Sequence, residues 1–261
     1  MRGISSPRRP EKSHFDQRDP ALMRRNACAV AAADLAHPDG AAVGCRAQVV
    51  EIDGGDHSVA VGTVAGMSRH FRKHNRGLGL IWIDAHADMN TPDSSPSGNV
   101  HGMPLSCCIG NGPEELTHLA GEGPAVEPGS VVIVGLRSVD EIERLNVRGT
   151  GVHAFTMRDI DERGMRAVIQ EAIHLASAGT AGFHLSFDLD AVDPSEAPGV
   201  GTPVHGGITY REAHLAMEMV CDSGLMVSME AVEVNPVMDE ANRTALLAVE
   251  LILSALGKRI L

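Results

Sequence analysis

Gly79-Leu80-Ile81-Trp82-Ile83-Asp84-Ala85-His86-Ala87-Asp88 is an apolar run that gives way at once to alternating acid and imidazole. The run Gly79–Ile83 lacks polar alternation, as expected of a parallel strand buried on both faces. Beyond it, Asp84, His86 and Asp88 lie two residues apart, so in an extended chain they point to one side. The form returns at Ser186-Phe-Asp188-Leu-Asp190-Ala-Val-Asp193-Pro194, at the end of the expected strand Gly182–Phe187. A third segment, Gly54-Gly-Asp-His57-Ser58, follows Val49–Ile52. Open α/β sheets bind ligands outside the carboxyl ends of their strands. Three polar segments, each behind a strand, are therefore placed to converge.

Working outward, further strands are expected at Ser130–Gly135, Gly151–Ala154 and Leu225–Val232, with helices near 58–74, 161–177, 209–221 and 242–256. Thr209-Tyr-Arg-Glu212 has the form of a capping box and starts a helix. Gly77 and Gly257 sit where helix C-terminal caps belong. Alternating strands and helices predict an α/β sheet covered on both faces. No repeat or linker divides residues 49–261, which read as one α/β domain. Residues 1–48 read differently. Positions 1–25 hold seven basic and three acidic side chains, and 26–48 are alanine-rich, interrupted by Pro38, Gly40 and Gly44. A basic tail followed by a weak helix or loop is expected there.

The 261 residues are 43% hydrophobic and 21% charged, a composition that supports a packed core. With 34 acidic and 22 basic side chains the formal charge is −12. A broad basic face for nucleic acid is thereby excluded from the expectations. No apolar run approaches the roughly 20 residues of a membrane span, and no signal-peptide pattern opens the chain. The five cysteines (Cys28, Cys45, Cys107, Cys108, Cys221) are scattered, odd in number and free of CxxC pairs. They read as reduced thiols of a cytoplasmic protein, not as a disulfide frame or a thiolate zinc site.

Four carboxylates and two imidazoles aimed into one cleft raise each other's pKa unless cations are present. Two divalent ions balance the four negative charges. Oxygen and imidazole ligands without sulfur suit Mn²⁺, Fe²⁺ or Co²⁺, with Mn²⁺ the first choice. Two ions about 3.5–4 Å apart can share a bridging water and bring its pKa near neutral. One aspartate behind a strand is usually a turn residue or a helix cap. D-x-H-x-D, D-x-D and G-G-D-H behind three strands together read as a dinuclear metal site.

At these residues the chain resembles the ureohydrolase family, and within it the arginases. The resemblance runs from about Val49 to Gly257. Besides the segments above it includes Ser97-Gly-Asn-Val-His101-Gly102, Gly135-Leu-Arg-Ser-Val-Asp140, Gly199-Val-Gly-Thr-Pro and Val232-Glu233-Val-Asn-Pro236. It implies a three-layer α-β-α sandwich with a mostly parallel central sheet. It also implies hydrolysis of a guanidinium group, that of L-arginine, to L-ornithine and urea by a hydroxide bridging two manganese ions. By resemblance, His57, Asp84, Asp88 and Asp188 hold one ion. His86, Asp84, Asp188 and Asp190 hold the other, so that Asp84 and Asp188 bridge. Asp88 also relays the hydroxide proton, His101 acts as a proton shuttle or general acid, and Glu233 pairs with the substrate guanidinium.

The polar loop 90–99 resembles the arginase loop that binds the α-carboxylate, with Asn90 and Ser97 the best matches and Ser95 and Asn99 beside them. Asp140 and Glu143 resemble carboxylates near the α-amino group. Ser138 replaces an acid found in some arginases, and His205 stands where a proline is common. A homo-oligomer, trimeric or hexameric, is implied.

The region before Val49 departs from the family. The strand and loop expected ahead of G-G-D-H look replaced, and Asp53 takes the place of an apolar strand residue. The sheet is thus expected to lack its usual first strand or strands, leaving Val49–Ile52 as an exposed edge. Other readings are an amidinohydrolase acting on agmatine or on a guanidino acid, and a degenerate relative that binds metal without turnover.

Overall fold

The expected strands become β1 (Glu51–Asp53), β2 (Gly77–Ile83), β3 (Val131–Leu136), β4 (His153–Thr156), β5 (Thr180–Asp188) and β6 (Met226–Val232). A computed structural model describes residues 51–53 and 55–259. The expectations for residues 1–48, and for Val49, Val50 and Gly54, lie outside the described residues. The strands form one sheet in the order β1-β6-β5-β2-β3-β4, each neighbouring pair parallel. From β2 the chain builds outward to β3 and β4, then returns to lay β5 on the opposite side of β2. The carboxyl ends of β2 and β5 therefore flank the point where strand order reverses, the place where such sheets bind ligands.

Helices α1 (Ala60–Arg72), α2 (Pro104–Cys108), α3 (Glu114–Thr117), α4 (Glu141–Thr150), α5 (Met157–Arg163), α6 (Met165–Ser177), α7 (Tyr210–Ser223) and α8 (Arg243–Ala255) are the α-helices among the described residues, joined by short 3-10 turns. Strand alternation divides the core into two layers. Ile81, Ile83, Val132, Val134, Phe183, Leu185 and Phe187 pack with α6, α7 and α8. Leu80, Trp82, Val131 and Ile133 pack with α1 and α2 on the other face. The three-layer α-β-α sandwich is thus present.

Several boundaries differ from expectation. The helix expected over 161–177 is two helices, because Gly164 at φ 80° ends α5 and begins α6. Gly77 opens β2 and caps nothing; α1 stops at Arg72, and the left-handed residue after it is Asn75 at φ 55°. Helix α4 was not expected. Its sequence is polar and only Glu143 and Val147 are buried, so apolar periodicity is faint. The capping box at Thr209 and Glu212 is formed, and Gly257 takes the left-handed conformation after α8. At Gly182, φ is 138° and a side chain would collide with the Leu225 carbonyl, so β5 and β6 approach closely only with glycine there.

Candidate active site

Asp56 caps the short 3-10 turn His57–Val59 by accepting the Ser58 backbone N–H at 2.9 Å. The turn leads directly into α1 and presents the His57 ring to the sheet. The ring is buried and lies flat on Trp82 of β2, with centroids 3.8 Å apart and planes 5° from parallel. Its Nδ1 is 3.1 Å from one oxygen of each of Asp84, Asp88 and Asp188. Its Nε2 is 2.7 Å from Ser186 Oγ, and that hydroxyl donates at 2.7 Å to Glu230 Oε1. In a second cluster, His86 Nδ1 is 3.0 Å from Asp190 Oδ2 and 3.4 Å from Asp84 Oδ1. Asp84 thus turns one oxygen to each histidine.

The carboxylates are held by fixed donors. Trp82 Nε1 donates to Asp84 Oδ2 at 2.9 Å, and the His86 backbone N–H to Asp84 Oδ1 at 2.7 Å. The Asp190 N–H donates to Asp188 Oδ1 at 2.7 Å, and Thr202 Oγ1 to Asp190 Oδ2 at 2.9 Å. Asp88 and Glu233 adopt left-handed backbone conformations, φ 52° and 67°. Such conformations cost about 1–3 kcal/mol each outside glycine and collect at functional sites.

Acceptors exceed protons in this cluster. Ser186 gives its one hydroxyl proton to Glu230, so it can only accept from His57 Nε2–H. In the neutral ring Nδ1 then carries a lone pair facing three carboxylate oxygens. Burial alone would lower both histidines, but the facing carboxylates more than reverse it, raising His57 well above its usual value and His86 to about 11. Burial and the Asp84 charge push Asp88 up to about 8, and burial with neighbouring carboxylates raises Asp188 and Asp190. The cluster therefore favours added positive charge. Hard oxygen and imidazole donors without sulfur are the ligand chemistry of a divalent first-row ion, and the residues present fit such ions. His57, Asp84 and Asp88 form one group able to hold a metal, and Asp84, His86 and Asp190 another.

Above the cluster opens a cavity of about 320 Å³. Its lining includes His57, His86, Asp88, Asn90, Ser95, Ser97, Asn99, His101, Asp140, Glu143, Asp188, Asp190 and Glu233. The one remaining residue expected at the site, Asp84, sits buried beside them, facing both histidines. His101 Nδ1 is 3.4 Å from Glu233 Oε1, which also accepts the His57 backbone N–H at 2.9 Å. Asp140 caps α4 through Oδ1 and accepts Asn90 Nδ2 at 2.8 Å through Oδ2, while Ser94 donates to Asn90 Oδ1 at 2.8 Å. Glu143 Oε1 accepts the Met89 N–H at 2.9 Å. The two carboxylates expected near an α-amino group therefore also fix the loop behind Asp88.

Sequence reasoning gave no role to Trp82, Ser186, Thr202 or Arg137. Arg137 donates to the carbonyls of Asp190 at 2.7 Å, Ala191 at 3.0 Å and Val204 at 2.8 Å, clamping the Asp190 turn. A signal existed in β5 and β6, where polar residues alternate with apolar ones inside strands that end at the site.

Residues 25–257 match the model described as the arginase family, so the match begins upstream of Val49. The arginase of Bacillus subtilis (strain 168) is 53% identical over 208 residues, spanning 80% of this chain and 69% of that protein. The solved arginase of Bacillus caldovelox superposes with TM-score 0.82 at 43% identity, covering 99% of this chain and 84% of the other. Entamoeba histolytica arginase, solved in complex with L-ornithine, gives TM-score 0.75 at 38% identity over 80% of this chain and 70% of its own.

Proposed function

Because the chain belongs to the arginase family, a metal-dependent family of hydrolases acting on guanidino C–N bonds, we propose that it hydrolyses L-arginine to L-ornithine and urea. The observation that carries this reading is the pair of clusters in which Asp84 faces His57 and His86 at the end of β2. His57, Asp84, Asp88 and Asp188 would hold one Mn²⁺, and Asp84, His86, Asp188 and Asp190 a second. Two such ions, held there, would supply a water ionised near neutral pH, the nucleophile that a resonance-stabilised guanidinium carbon requires.

The chain's own groups do the rest. Glu233, at the cavity wall, accepts guanidinium N–H groups and holds the carbon over the cluster. Asp88 takes the proton of the attacking water. His101 is raised by its hydrogen bond to Glu233, so it keeps a proton to deliver to the leaving amine. Asn90, Ser95, Ser97 and Asn99 receive the α-carboxylate, and Asp140 and Glu143 the α-amino group. A homo-oligomer, trimeric or hexameric, in the cytoplasm completes the proposal. Cys107 and Cys108 are adjacent and buried, and burial pushes the Cys107 thiol up to about 12, so neither offers a reactive thiolate beside the cavity. Among the described residues no helix is long and apolar enough to cross a membrane.

The test is urea release from L-arginine and from agmatine, side by side, after incubation with Mn²⁺ or a chelator. Manganese-dependent urea from arginine alone is expected. Urea from agmatine alone would overturn the assignment of loop 90–99. No urea from either, in a folded and metal-loaded protein, would leave a different guanidine or a chain without turnover.

A further inference from the structure

Strands β5 and β6 carry an unusual inner face. On the α1 side, β5 presents His184 and Ser186, and β6 presents Ser228 and Glu230. Polar alternation of this kind ordinarily marks a strand face turned to water. Here all four side chains are fully buried. The register sets His184 opposite Ser228 and Ser186 opposite Glu230, with Trp82 on the other flank of Ser186. A carboxylate so far from solvent is costly unless a specific partner uses it. Glu230 Oε1 accepts from Ser186 at 2.7 Å, and His184 Nε2 lies 3.4 Å from the same oxygen. Oε2 finds no donor among the described residues. The bonding of Glu230 is thus committed toward Ser186, and through it toward His57.

We propose that Glu230 is a positioning residue for metal capture: in the neutral ring, the form that takes a metal, it keeps the His57 proton on Nε2 through Ser186 and leaves Nδ1, the atom beside Asp84, Asp88 and Asp188, free to bind. The argument is one of donors and acceptors. A carboxylate can only accept, so the Ser186 hydroxyl points to Glu230 and its oxygen lone pair to His57. Without the carboxylate, the hydroxyl turns to the acceptor that remains, His57 Nε2. The neutral ring then carries its proton on Nδ1, pointing into the position a metal would take. Groups that orient a ligating histidine in this way typically change metal affinity about 10- to 100-fold.

The inference rests on the metal reading above, and its test separates the two. Trp82 is the chain's one tryptophan and is stacked on His57, so its fluorescence reports Mn²⁺ titration independently of turnover. Wild type, Glu230→Met, Ser186→Ala and the double variant are titrated with Mn²⁺ by fluorescence and calorimetry, with metal-free melting as the folding control. Glu230→Met is expected to bind Mn²⁺ about 100-fold more weakly, and Ser186→Ala about tenfold. The double variant is expected to match Ser186→Ala, because removing the misdirected hydroxyl relieves the defect. A purely structural role predicts the double variant to be the worst of the three, and that result, or wild-type affinity in Glu230→Met, overturns the proposal. Should Glu230→Met not fold, Ser186→Ala decides alone, and wild-type affinity there overturns it. If wild type itself binds no Mn²⁺, the metal reading fails instead.

Discussion

Asp84 is the side chain on which the two clusters depend together, since each of its oxygens faces a different histidine and each is also held by a donor. Asp84→Ala is therefore expected to lose bound manganese and to release no measurable urea; elemental analysis beside the urea assay checks both. His101→Asn touches no group of the clusters and is expected to retain manganese while turnover falls about 10²- to 10⁴-fold, the usual contribution of a general acid. Loss of manganese in that variant would misplace its role. The convergence of Asp84, His86, Asp88, Asp188 and Asp190 was legible because two-residue spacing behind a strand survives any change of register. The role of Trp82 was not legible, and that of Ser186 showed only as an unexplained polar alternation in β5. An indole inside Leu-Ile-Trp-Ile reads as core, which it also is, and its N–H bond to Asp84 depends on the turn beyond the strand. Ser186 acquires meaning only once β6 is laid beside β5 and brings Glu230 opposite.

At the scale of elements, the strands were legible and the helices less so. A parallel strand buried on both faces announces itself through composition alone. Helix α4 is short and polar, and its start is set by the Asp140 side chain accepting the Glu143 N–H at 3.0 Å, a bond between residues that also line the cavity. The 161–177 stretch keeps helical periodicity across Gly164, whose positive φ breaks it without disturbing the pattern. At the start of α7 the expected local chemistry held, whereas at Gly77 it did not: Thr209 caps α7 and Glu212 accepts the Thr209 N–H at 2.9 Å. Thr209→Ala is expected to lower stability by about 1 kcal/mol, seen as a lower denaturation midpoint, with urea release from arginine unchanged. An unchanged midpoint would show that tertiary packing alone sets this end of α7.

At the scale of the whole molecule, protons and metal compete. In chelated protein, His86 is raised to about 11 and Asp88 to about 8, so both favour the protonated form at neutral pH. Their sign is the same: the stability they confer is full below their unfolded values and is lost as pH rises through the folded ones. Chelated protein is thus expected to melt at a lower temperature at pH 8.5 than at pH 6. Manganese must displace these protons, so its affinity is expected to rise with pH, with proton release near pH 7. Calorimetry in two buffers of different ionisation enthalpy measures that release, and proton uptake would contradict it. The sheet order has a further consequence, for synthesis. The His57 backbone is bonded to Glu233, 176 residues later, and β1 pairs with β6. A ribosome adding about 5–20 residues per second makes the early histidine wait on the order of ten to thirty-five seconds for its late neighbour. During that interval the nascent chain displays a cleft whose first histidine is not yet pinned by its late partner.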